Sequence, residues 1–119
     1  MKTVVFDTSF LVNSVKAKID FLKSIQMEIG EFKTIISSPV LSELKFLAKR
    51  KTDANVALQI LEQKGYDLVE SDLPADLSIT KIAEDLSAYV ASTDWAVRRR
   101  SEKKGLKLIT LRSGKRIEV

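Results

Sequence analysis

The chain has 119 residues and a mass of 13.3 kDa; 45% of its residues are hydrophobic and 30% are charged. Those values describe one globular domain, 1–119, with enough apolar content for a core of its own. It contains no cysteine and no histidine, which excludes disulfide frameworks, thiolate zinc sites, cysteine nucleophiles, Ser-His-Asp catalysis and imidazole acid–base chemistry. An enzyme built from this chain must work with carboxylates, hydroxyls, lysines, arginines or a borrowed metal ion.

The net charge is +4 and is unevenly spread. From Arg98 onward there are nine basic and two acidic side chains, a net +7, which leaves −3 for the rest of the chain. A basic end on a mildly acidic body predicts a polyanion partner, nucleic acid first. Arg98, Arg99, Arg100 and Lys103 are the candidate contacts, although Arg98 to Arg100 span a whole helical turn and cannot all face one phosphate groove. The apolar runs are too short for a transmembrane helix or a signal-peptide core, so a cytoplasmic location and no membrane partner are expected.

Thr3 to Phe6 is a short β-branched apolar run, the pattern of a buried strand. Asp7-Thr8-Ser9 are helix-start residues. Leu11, Val15, Ile19, Leu22, Ile25 and Ile29 then repeat at helical spacing, which predicts one long amphipathic helix closed by Gly30. Phe32 to Ile36 reads as a second strand. A helix begins at Ser37-Ser38-Pro39, a break falls at Lys49 to Thr52, and another helix ends at Gly65. Tyr66 to Val69 is a weak third strand, Leu77 to Leu86 a helix and Tyr89 to Ser92 a fourth strand. Asp94 opens a helix that Gly105 closes, Leu106 to Leu111 is a fifth strand, and Ile117 to Val119 suits a short edge strand. Strands alternating with helices predict an α/β fold with a mostly parallel sheet covered on both faces.

In such sheets ligands bind at the carboxyl ends of the strands. Asp7 follows the first strand and Asp94 the fourth; Asp76 precedes the helix leading to the fourth. Glu43 lies one turn into the helix after the second strand, bordering its apolar stripe. Singly, each has an ordinary explanation: Asp7, Asp76 and Asp94 suit helix N-caps, worth about 1 kcal/mol each, and Glu43 suits an exposed helix position. Jointly, they predict an acidic rim. Carboxylates that converge without cationic partners repel, and a divalent cation resolves the conflict. Oxygen-only ligands select Mg²⁺ or Mn²⁺, ions that activate water for phosphodiester cleavage. Acidic rim and basic tail thus point to the same substrate, a nucleic-acid backbone.

Val5-Phe6-Asp7-Thr8-Ser9-Phe10, Ser38-Pro39-Val40-Leu41-Ser42-Glu43-Leu44, Ala75-Asp76 and Val90-Ala91-Ser92-Thr93-Asp94 resemble, in order and spacing, the PIN-domain ribonucleases. Asp7 to Phe10 followed by Lys16-Ala17-Lys18-Ile19-Asp20, with the Arg98 to Arg100 run, resembles the branch that processes small-subunit ribosomal RNA precursors. The resemblance implies a three-layer α/β/α sandwich with a five-stranded, mostly parallel sheet. It implies metal ligation and catalysis by Asp7, Glu43, Asp76 and Asp94, directly or through water, with Thr8, Ser9 and Ser92 supporting them. It implies an RNA substrate such as precursor rRNA, and is compatible with a homodimer and with an antitoxin or ribosome-assembly partner. Two positions depart from the family pattern: Ala75 where many relatives have a second aspartate, and Ala96 where many have a further acid. Fewer carboxylates imply one tightly bound ion, or two bound weakly.

Rival readings are a toxin-type ribonuclease of the same family, a catalytically silent RNA-binding module, and a phosphoacceptor receiver domain. The last ranks low, because receivers carry an acidic pair after the first strand and Asp7 is followed by Thr8 and Ser9. Trp95 suits base stacking or packing. Phe10, Phe21, Phe32 and Phe46 suit the core or a dimer surface.

Overall fold

The computed structural model describes all of residues 1–119. Six strands, β1 (Lys2–Phe6), β2 (Phe32–Ser37), β3 (Asp67–Val69), β4 (Tyr89–Ala91), β5 (Leu108–Arg112) and β6 (Arg116–Glu118), form one sheet in the order β3-β2-β1-β4-β5-β6. The first five are parallel, and β6 pairs antiparallel with β5. The count is therefore six rather than five, because a tight turn through Ser113 and Gly114, both at positive φ, folds the C-terminus back onto the edge.

The helices are α1 (Thr8–Lys16), α2 (Phe21–Ile29), α3 (Ser38–Ala48), α4 (Thr52–Lys64), α5 (Ala75–Leu86) and α6 (Trp95–Lys103). From β1 the chain moves outward through β2 to β3, then returns across to β4 and β5. Right-handed crossovers put α1 to α4 on one face of the sheet and α5 and α6 on the other, as the packing of α1 and α3 on α4 and of α5 on α6 reflects. This is a three-layer sandwich. The reversal of direction falls between β1 and β4, the place where open α/β sheets bind ligands. No helix is long and apolar enough to cross a membrane.

The single long helix expected after β1 is two helices. Lys18 takes a left-handed conformation at φ 60°, the amides of Lys18 and Ile19 close α1 on Val15 and Ser14, and the Asp20 side chain accepts from the Lys23 amide to start α2. The apolar period runs through the break because both helices pack on the same core. That core is aromatic beneath β1: the Phe6 ring lies 5.8 Å from those of Phe10 and Phe21 and 6.4 Å from Phe32. Phe6, Phe10 and Phe21 are buried, whereas Phe46 is 56% exposed, with Arg50 over its ring. Leu86, the last residue of α5, is also exposed.

Candidate metal centre

β1 is central and fully apolar at its end, so it drives Asp7 into the molecule at the sheet's carboxyl edge. The Asp7 amide donates to the Ala91 carbonyl at 2.9 Å, which ties the end of β1 to the end of β4. Asp7 occupies the N-cap position of α1, but its side chain caps nothing. Instead Oδ2 accepts from Ser92 Oγ at 2.6 Å and from Ser9 Oγ at 2.9 Å. Both serines are themselves held from behind, Ser92 Oγ by the Asp94 amide at 3.0 Å and Ser9 Oγ by the Thr93 amide at 3.2 Å. The carboxylate is thus oriented through one oxygen, leaving Oδ1 free of protein donors.

Asp7, Glu43, Asp76 and Asp94 line one open cavity of about 830 Å³, whose wall also includes Thr8, Ser9, Asn13, Phe46 and Lys51. Only Asp7 is buried, at 7% exposure; Glu43, Asp76 and Asp94 are exposed around it. Of the three aspartates suited to capping, Asp94 alone caps with its side chain from the N-cap position, Oδ1 accepting from the Val97 amide at 3.0 Å. Asp76 lies in the first turn of α5, whose N-cap is Pro74. A second network, Ser37 Oγ to Ser78 Oγ at 2.8 Å, fastens the start of α3 to α5 and so fixes Glu43 and Asp76 relative to each other.

The expectation of a rim without cations needs correcting at Asp76. The Arg100 guanidinium lies 3.8 Å from its carboxylate and donates to its backbone carbonyl at 3.5 Å, because α5 and α6 pack side by side. Asp7, Glu43 and Asp94 form no ion pair. Burial raises the Asp7 pKa above its ordinary 3.8; the Ser92 and Ser9 hydrogen bonds oppose this, and the negative charges of Asp94 and Glu43 reinforce it. Asp7, Asp94 and Glu43 therefore form an electrostatic unit, with Asp76 and Arg100 as a separate pair beside it.

This group suits a hard divalent cation. No three acidic side chains are drawn tightly enough to bind one ion all together, yet all four face the same space. The two observations agree for Mg²⁺, which keeps several waters and takes only one or two carboxylates directly. A desolvated carboxylate flanked by two others and by no cation is the donor set such an ion would relieve.

A pKa raised by folding has a definite sign in stability. The neutral form of Asp7 is favoured in the folded state, so its contribution is fully present below about pH 4 and is lost as pH rises through the raised pKa. In metal-free buffer Asp7→Asn should therefore melt above the parent at neutral pH. The gap should narrow to nothing on acidification to about pH 3, as a pH series of thermal melts in EDTA would measure.

The expected RNA contacts divide. Arg99 and Lys103 are exposed, Arg100 makes a long contact with Asp76, and Arg98 is half-buried with its Nε enclosed and unpartnered. Arg98 does not share the surface hollow of Trp95, Ala96, Arg99, Arg100 and Lys103. Sequence reading passed over Asn13 and Lys51. Asn13 lies one helical turn beyond Ser9 on the same face of α1 and donates to Thr93 Oγ1 at 2.9 Å, a spacing that could have revealed it. Lys51 sits in a basic run read only as a helix break.

A family model described as a PIN-like domain matches residues 4–114. The chain belongs to the PIN-like domain family. Among solved structures, this PIN-like chain is similar to the PIN domain endonuclease Utp24, with a TM-score of 0.82 and 23% identity over 98% of this chain and 90% of that one. It is similar to VapBC2 from Rickettsia felis bound to a promoter DNA fragment, with a TM-score of 0.65 and 17% identity over 92% of this chain and 99% of the other. A PilT N-terminus domain protein from Sulfolobus solfataricus gives 0.59 and 16%, over 91% and 86%. No curated protein sequence matches the chain. These likenesses establish the shared fold.

Proposed function

We propose that this PIN-like domain is a metal-dependent endoribonuclease acting on precursor ribosomal RNA, with Asp7, Asp94 and Glu43 holding Mg²⁺ or Mn²⁺. The observation that carries the reading is the buried Asp7 carboxylate, pressed by Asp94 and Glu43 and paired with no cation. When bound, the ion would polarise a water for attack and offset charge developing on the phosphodiester. Ser9 and Ser92 hold the Asp7 carboxylate through Oδ2, which leaves Oδ1 without a protein donor on a residue that lines the cavity. Asp94, whose Oδ1 caps α6, lines the same cavity and keeps its second oxygen free for an ion. Glu43 reaches in from α3. Asp76 contributes at the edge, its charge shared with Arg100. Thr8, the first residue of α1, is a buried part of the cavity wall.

The basic α6 supports a polyanionic substrate, and the likeness to the PIN domain endonuclease Utp24 fits cleavage of one. The test is direct. Incubated with single-stranded and hairpin RNA, the protein should cut only with Mn²⁺ or Mg²⁺ present and should stop when EDTA is added. Cleavage undiminished by EDTA would refute the metal mechanism. RNA binding without cleavage under every ion condition would instead identify a silent binding module.

A further inference from the structure

The single tryptophan of the chain opens α6, next to Asp94, and is 70% exposed. An exposed indole offers a large apolar face to a partner, and within the fold only Arg99 lies against it. One ring face is backed by Arg99, whose Cζ lies 5.2 Å from the ring centroid. Arg100 and Lys103 complete a hollow of about 310 Å³ that contains three cations and no acid. It lies directly beside the acidic cavity, since Asp94 and Trp95 are consecutive and Arg100 touches Asp76. Two neighbouring hollows of opposite charge suit one extended ligand: its phosphates are drawn to the basic hollow, and its reacting centre reaches the acidic one.

We propose that Trp95, backed by Arg99, is a stacking platform for one unpaired base of the RNA substrate, with Lys103 and Arg100 taking the adjoining phosphates. The inference rests on the ribonuclease reading and adds a specificity to it. A base inside a duplex has both faces covered by its neighbours, so only a single-stranded segment can offer a face to the indole. Arg100 is available for this role because its contact with Asp76 is long and solvent-exposed, the kind worth little. Trp95 therefore positions the strand at the cavity and selects unpaired RNA; it takes no part in the chemistry.

Because Trp95 is the only tryptophan, its emission reports this one place. The experiment titrates the full chain with a 5′-labelled eight-residue oligouridine in EDTA, reading label anisotropy and tryptophan emission together, alongside a blunt RNA duplex. Saturable quenching that tracks anisotropy for the single strand, and none for the duplex, is expected. Trp95→Ala should weaken oligouridine binding by anisotropy about 5- to 100-fold, and Trp95→Phe should restore most of it. The residue is exposed at a helix start, so both variants should fold. Oligouridine bound with unchanged emission, or bound equally by Trp95→Ala, overturns the platform; manganese-dependent cleavage, measured separately, then tells whether the ribonuclease reading survives. No binding by either signal also overturns the platform, and the cleavage assay again decides the ribonuclease reading.

Discussion

Asp7→Asn protein should cleave RNA at least about 100-fold more slowly than the parent at saturating Mn²⁺. A metal ion supplies several kcal/mol of transition-state stabilisation, and each 1.36 kcal/mol is tenfold in rate. Asparagine is nearly isosteric, and its carbonyl oxygen can still accept from Ser9 and Ser92, which now converge on Oδ2. What disappears is the one buried negative charge of the cavity. The same substitution should uncouple the protein from its ion. At a concentration a hundred times Kd, a bound ion stabilises by about 2.7 kcal/mol, so Mn²⁺ should raise the Tm of the parent by several degrees and leave the variant unmoved. An equal rise in both would remove Asp7 from the ligand set, whatever the cleavage assay reported.

Phe6→Ala should produce the largest loss of stability, about 3–5 kcal/mol. Phe6 is fully buried, and its ring meets those of Phe10, Phe21 and Phe32, from α1, α2 and β2. Truncation opens a void beneath the central strand that three separate elements would have to move to fill. The midpoint of urea unfolding measures the cost; a loss below about 1 kcal/mol would mean that the cluster collapses around the gap. Phe6 also immediately precedes Asp7, so any slack at this position is transmitted to the carboxylate and its serine partners. Phe6→Leu, which refills much of the volume, should recover most of the stability.

These two neighbouring residues show what a linear reading captures. Phe6 closes a β-branched run and Asp7 ends it, so their burial and their place at the sheet's edge follow from local pattern alone. The same holds for Asp94 after β4. The break at Lys18 is invisible in the sequence, because the apolar period of α1 continues unchanged into α2 and only four residues, one of them left-handed, separate the two helices. The sixth strand was half visible: its apolar residues were evident, whereas its pairing depends on a turn. The Arg100–Asp76 contact lay beyond reach, since it arises from the side-by-side packing of α5 and α6, elements whose separation along the chain says nothing of their distance in space. Phe46 suits the core or a dimer surface by composition alone; its exposure removes the first of these, and it stands in the cavity wall.

Arg100 has one more consequence. It is a tethered cation at one flank of a basin whose wall also holds Lys51, so some positive charge stands there whatever the composition of the medium. On the proposed reading, an incoming divalent guest would meet a resident competitor at Asp76 and none at Asp7, Glu43 or Asp94, which form no ion pair.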